Sequence, residues 1–202
     1  MEITTQQIKD LRAETGAGIL DCRKALQDAD GDFDQALAEL REKGLATALK
    51  RADRETSEGY IELYSHGDGR VGVMVEVNCE TDFVARSESF RNFVHEIALQ
   101  IAAGAPEYIS PEDVPEPVLE DEREKARQYA LAEGKPENVI ERIVEGRLKK
   151  YLDDVCLLRQ VYVRDDEMVI EQLLMQNIAS LGENVVIQRF ERWELGGTSS
   201  TE

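Results

Sequence analysis

The hydrophobic period of this chain changes at Gly59, and that change limits the folds open to it. Before Gly59 apolar residues recur at helical spacing; over residues 60–79 they alternate. Val71, Val73, Val75, Val77 and Cys79 fall on one face of a strand, and residues 60–65 alternate in the same way. A period near 3.6 makes a helical stripe and a period of two makes a strand face, so neither segment can serve as the other. Between the alternating runs, His66-Gly67-Asp68-Gly69 is a turn signal, with the Asp-Gly pair suited to positive φ values. The expected fold class is α+β, a small antiparallel sheet packed by helices.

Three short helices are predicted for residues 1–45. Thr4 and Gln7 make a capping box, and Ile8 and Leu11 supply the first apolar stripe. Thr15-Gly16-Ala17-Gly18 breaks the chain, after which Ile19, Cys22, Leu26 and Ala29 recur at helical spacing. Gly31 ends that helix, Asp32 caps the next, Phe33, Leu37 and Leu40 line it, and Gly44 is expected to stop it. Residues 45–53 then read as a helical connector with Lys50, Arg51 and Arg54 exposed. Beyond the hairpin, Phe90, Phe93, Val94, Ile97, Ala98 and Ile101 define a strongly apolar helix. Residues 104–117 carry four of the five prolines and read as an irregular link.

The charged stretch 118–133 is expected to be an exposed helix, and Pro136 to open another whose buried stripe is Val139, Ile140, Ile143, Val144, Leu148 and Tyr151. A last helix runs through Ile170, Leu173, Leu174, Ile178 and Leu181 to Gly182, followed by a strand over 184–194 and a frayed tail. The expected domains are a helical module with its connector at 1–54, an α+β core at 55–196 and a flexible tail at 197–202.

The formal net charge is −18, with the acid excess spread along the chain. That argues against nucleic-acid binding, which depends on clustered Lys and Arg. Arg147, Lys149 and Lys150 do cluster, but late in a helix, where cations suit the macrodipole. Cys22, Cys79 and Cys156 are widely spaced and odd in number, as in a cytoplasmic protein with reduced thiols, and no run is apolar enough for a membrane span. No zinc spacing joins the cysteines to His66 and His95; His95 is expected on the polar side of its helix. Asp28, Asp30, Asp32 and Glu39 imitate a calcium loop, but its sixth position, which needs glycine, is Phe33. No phosphate-cradling glycine loop is present either. Neither a cofactor, a metal nor an enzymatic reaction is expected; what remains is a binding protein.

The short run Cys79-Glu80-Thr81-Asp82-Phe83-Val84 follows the strongest strand without a break. A rigid strand would deliver an acidic residue and a phenylalanine to its end, as a device acting on another molecule requires. The same residues also read as a simple cap, with Phe83 and Val84 closing the core.

Leu11-Arg12-Ala13-Glu14-Thr15-Gly16-Ala17-Gly18-Ile19-Leu20-Asp21-Cys22-Arg23-Lys24-Ala25-Leu26 closely resembles the opening of the elongation factor Ts family. Glu76-Val77-Asn78-Cys79-Glu80-Thr81-Asp82-Phe83-Val84-Ala85 is similar to that family's core signature, and Ile143-Val144-Glu145-Gly146-Arg147-Leu148-Lys149-Lys150 and Leu181-Gly182-Glu183-Asn184 resemble further segments. The resemblance implies guanine nucleotide exchange on GDP-bound elongation factor Tu during translation. It implies a ubiquitin-associated-like N-terminal module that docks through Lys9, Arg12, Ile19, Leu20 and Arg23. Thr81, Asp82, Phe83 and Val84 would displace the partner's magnesium ion, with Phe83 inserted between partner side chains. The chain looks like the short form, lacking a second core subdomain, and short forms can pair as homodimers. Arg23 stands where lysine is usual, and Arg159 and Val161 where Glu and Pro are usual. The other reading of the residues is a general protein-binding or chaperone-like module without exchange activity.

Overall fold

The computed structural model describes residues 3–197, so most of the expected tail at 197–202 lies outside the described residues. The chain divides into two compact units, Met1–Ala98 with Glu171–Glu202, and Leu99–Ile170.

The first unit opens with α1 (Thr5–Thr15), α2 (Ile19–Asp28) and α3 (Phe33–Leu49). Thr4 and Gln7 form the reciprocal capping box, and Gly16, at φ +65°, ends α1 by donating its N–H to the Arg12 carbonyl. A left-handed residue here suits glycine, which has no Cβ to clash. Ile8, Leu11, Cys22, Ala25, Leu26, Ala29, Ala36 and Leu40 make the core of this module. Three alanines among eight core residues let the helices approach closely, which suits so small a core. Gly44 does not stop α3 as expected. The helix continues to Leu49 and buries Ala48, and a Cβ at Gly44 would lie only 3.4 Å from that of Ala179. A mid-helix glycine costs about 1 kcal/mol relative to alanine, and the packing of the following turn overrides it. Nor is Arg51 freely exposed, since its Nη1 donates to the Ile178 carbonyl at 3.0 Å.

The sheet is formed by β1 (Glu58–His66), β2 (Val71–Cys79) and β5 (Val185–Glu194), in the order β1-β2-β5 with both pairings antiparallel. Gly67, Asp68 and Gly69 turn the hairpin with φ of +59°, +54° and +84°. Tyr60 faces Val77 and Tyr64 faces Val73; Val77 faces Ile187, and the register shifts between Glu76 and Val77. The inward face buries Val73, Val75, Val77 and Cys79. A short helix α4 (Asp82–Ala85) leads into α5 (Glu88–Gly104), which buries Phe90, Phe93, Val94, Ile97, Ala98 and Ile101. His95 lies off the buried stripe of α5, beside polar groups of β1. It is half-buried, with Nδ1 3.0 Å from Glu62 Oε1 and its ring edge-on to Tyr64, because β1 presents those side chains to this helix.

In the second unit, α6 (Glu116–Ala132) and α7 (Glu137–Val155) pack through Ala126, Ala130, Ile140 and Val144. Helix α6 is thus not wholly exposed; its small buried side chains are alanines, which carry little hydrophobic signal. The stripe expected on α7 is buried at Ile140 and Val144, while Val139, Ile143, Leu148 and Tyr151 are half-buried. Arg147, Lys149 and Lys150 are not in the last turn of α7, so the macrodipole does not explain them; Arg147 lies over the Tyr129 ring at 3.6 Å. Strands β3 (Val161–Tyr162) and β4 (Asp165–Val169) were not foreseen, being short and joined across a charged turn. They are held by Gln100, which donates to Gln160 Oε1 and the Val161 carbonyl and accepts from Val163 N–H. The chain returns to the first unit with α8 (Ile170–Leu181), which Gly182 ends at φ +81°.

Candidate functional site

Strand β2 carries its alternation to Cys79 and stops there, because the next residues turn outward into α4. Thr81 is the N-cap of α4: its hydroxyl accepts the Val84 N–H at 3.3 Å. Ser87 closes the other side, donating its hydroxyl to the Val84 carbonyl at 2.8 Å and accepting the Phe90 N–H at 3.2 Å. A helix of four residues has no stability of its own, so these caps and the burial of Val84 and Ala85 hold it.

The four residues singled out in the sequence separate into two pairs. Val84 is turned into the core and Thr81 is occupied as a cap, so the cap reading holds for Val84. It does not hold for Phe83, which is 83% exposed. Asp82 is also exposed, and its Oδ2 lies 3.0 Å from Arg86 Nη2. An exposed pair of this kind contributes little to stability, so Asp82 can exchange Arg86 for another partner at small cost. An isolated phenylalanine projecting from a fixed element is suited to insertion into a pocket on another protein.

Of the residues expected to dock, Lys9 and Arg12 are exposed on α1, and Ile19, Leu20 and Arg23 are exposed on α2. Leu20 is 77% exposed although it lies in the first turn of an amphipathic helix, because Cys22, Ala25 and Leu26 take the buried face. Arg23 also borders a cleft lined by Ile3, Leu26, Gln27, Asp30 and Gly31.

The three thiols are free and buried. Burial, with the Glu183 carboxylate adding to it, pushes the Cys79 thiol up to about 11. Cys79 is therefore a neutral thiol at pH 7, able to donate to the Thr81 carbonyl at 3.3 Å. Burial also raises Cys22, and it pushes Cys156 up to about 11. Such thiols are structural rather than reactive.

Two features escaped the sequence reading. Glu80, Glu183 and Asn184 bond around the strand-end element, across more than a hundred residues of chain, and no local periodicity reports such contacts. The outward face of the sheet exposes Ile61, Leu63, Met74 and Trp193, and Leu195 is exposed just beyond β5. That face had a legible signal: Tyr60 and Tyr64 fall on one side of the strand and Ile61 and Leu63 on the other, so both sides carry large apolar groups. Gly72 lies opposite Trp193, so no side chain on β2 separates the indole from the sheet there. Of the two departures noted in the second unit, Arg159 donates Nε and Nη2 to Asp153, and Val161 forms β3. Among the described residues no group of His, Cys, Asp and Glu could hold a metal ion, and no helix is long and apolar enough to cross a membrane.

The family model for elongation factor Ts matches residues 4–197. The chain is 59% identical over 194 residues to elongation factor Ts of Caldanaerobacter subterraneus subsp. tengcongensis, covering 96% of this chain and 97% of that one. It is 56% identical over 203 residues to elongation factor Ts of a Thermoanaerobacter species, covering 99% and 100%. With that of Carboxydothermus hydrogenoformans it shares 53% over 194 residues, covering 96% and 89%. A match of this length takes in the three-helix module, the sheet and the strand-end element together, and the chain belongs to the elongation factor Ts family of translation elongation proteins.

Proposed function

We propose that this chain is a guanine nucleotide exchange factor for elongation factor Tu in the cytoplasm, and that it promotes GDP release by dislodging the partner's magnesium ion. The observation that carries this reading is the near-complete exposure of Phe83 on an otherwise fixed element, in a chain matched to the family from residue 4 to 197. In it, residues 1–54 dock through Lys9, Arg12, Ile19, Leu20 and Arg23. The core, residues 55–196, presents Asp82 and Phe83 toward the ion's site, with Thr81 and Val84 fixing them. The factor makes and breaks no covalent bond, and it contacts a protein rather than nucleic acid.

The energetics favour two contact sites. Exchange is negative coupling: whatever factor weakens GDP binding also weakens the factor's own binding when GDP is present. Accelerating release by ~10³–10⁴-fold through weakened binding takes about 4–5.5 kcal/mol of differential interaction. One inserted aromatic supplies about 2–4 kcal/mol at a hot spot, so a second docking surface has to hold the complex while the wedge acts.

The direct test is stopped-flow release of fluorescent GDP from purified elongation factor Tu, titrated with the chain. Leu20→Asp is expected to raise the half-saturating concentration about ten- to a hundredfold, with the maximal rate little changed, because a buried charge at a docking centre costs about 1.4–2.7 kcal/mol or more. An unchanged half-saturating concentration would take Leu20 out of the docking surface.

We further infer that the chain pairs with a second copy through the outward sheet face. Leu63, Met74 and Trp193 are exposed there beside Glu76, Arg189 and Glu191, and an apolar patch flanked by charges of both signs suits a self-complementary contact between two copies. Native mass spectrometry at micromolar concentration should give a dimer, and Trp193→Glu a monomer. A monomeric parent chain would remove this assignment and leave the exchange reading intact.

A further inference from the structure

Residues 178–184, at the end of α8 and just beyond it, touch both parts of the proposed machinery. On one side, Ser180 Oγ donates to the Gly16 carbonyl at 3.2 Å, and the Ile178 carbonyl accepts from Arg51 Nη1 at 3.0 Å. A Cβ at Gly16 would come within 2.8 Å of Ser180 Oγ, so the break between α1 and α2 rests closely on this segment. On the other side, Glu183 Oε2 accepts the Thr81 N–H at 3.0 Å and Oε1 accepts its hydroxyl at 2.6 Å. Asn184 is 2% exposed and joins the two sides. Its backbone N–H donates to Glu80 Oε1 at 2.6 Å, while its Nδ2 donates to the Ala52 and Arg54 carbonyls at 3.2 and 2.9 Å.

The chemistry of Thr81 gives these bonds a direction. A hydroxyl has one proton and two lone pairs. By donating that proton to Glu183, Thr81 is left with lone pairs only for Val84 N–H, which is the bond that caps α4. Glu183 therefore orients the cap, the cap holds the four-residue helix, and the helix presents Phe83. We propose that Glu183 and Asn184 are positioning residues for exchange, holding Glu80-Thr81 so that Asp82 and Phe83 project at a fixed place relative to the N-terminal helices. Two contacts made by one rigid body reinforce each other only if their spacing matches that of the partner's sites. This inference rests on the exchange reading above.

The test uses the full chain and the same GDP-release titration. Glu183→Ala is expected to lower the maximal release rate about tenfold while moving the half-saturating concentration less than about threefold, because the docking helices are untouched. Glu183→Gln, which keeps one acceptor oxygen, recovers part of the rate. Asn184→Ala, with its folding checked by circular dichroism, lowers the maximal rate and also raises the half-saturating concentration, since the connector carbonyls are released. The decisive arm is the double variant Glu183→Ala with Phe83→Ala. If Glu183 acts through Phe83, the double variant is no slower than Phe83→Ala alone.

A Glu183→Ala chain equal to the parent at saturation would overturn the proposal, and so would a loss that adds in full to that of Phe83→Ala. Both results leave the exchange reading standing, provided Phe83→Ala is itself slow. If Phe83→Ala releases GDP at the parental rate, the wedge mechanism fails and the positioning role falls with it.

Discussion

Phe83→Ala is expected to slow GDP release from elongation factor Tu roughly thirty- to a thousandfold at saturating factor, without lowering the stability of the chain itself. The first part follows from the magnitude of an inserted aromatic, about 2–4 kcal/mol, converted to a rate at 1.4 kcal/mol per factor of ten. The second follows from exposure. At 83% exposed, the ring buries almost nothing in the free chain, and such surface substitutions change stability by about 0.5 kcal/mol or less. Alanine is also the better helix former, so α4 loses nothing by the exchange. Stopped-flow release and a urea melt on the same preparation separate the two effects. Parental release at saturation would sink the magnesium-dislodging mechanism, and a large fall in stability would return Phe83 to the core.

Phe90→Ala should do the reverse. Seven residues along, this ring is fully buried, and among the described residues no fully buried side chain is larger. Truncating it removes the transfer free energy of the ring and leaves a cavity that close-packed neighbours fill only in part, at a cost of about 3–5 kcal/mol. Domains of ordinary stability have about 5–15 kcal/mol in total, so the loss is a large share. Urea unfolding should show a lower midpoint at unchanged slope. At temperatures where the variant stays folded, its maximal release rate should remain near that of the parent, because Phe83 and its cap are intact. A loss below about 1 kcal/mol would mean that the site collapses around the missing ring.

The two phenylalanines show where sequence reading succeeded and where it stopped. Phe90 sits in a run with Phe93, Val94, Ile97, Ala98 and Ile101, so helical period alone assigns it to the core. Phe83 has no period to belong to. Between a strand and a helix, burial and exposure look alike in sequence, and the family resemblance rather than the residues pointed outward. The sheet was legible from alternation and its hairpin from Gly67, Asp68 and Gly69. The end of α3 is not legible, because a glycine that permits close packing looks the same in sequence as one that terminates a helix.

The strand-end motif was visible as a place, directly after β2, because period two and its sudden loss are local properties of the chain. Local spacing likewise determined the helical module, the antiparallel hairpin and the buried face of α5. Only the tertiary structure decided which way Phe83 faces, that Val84 turns inward beside it, and that Glu183 and Asn184 hold the turn between them. Those outcomes depend on hydrogen bonds and packing between residues more than a hundred positions apart. A chain's own periodicity carries no record of what will lie beside it once it has folded.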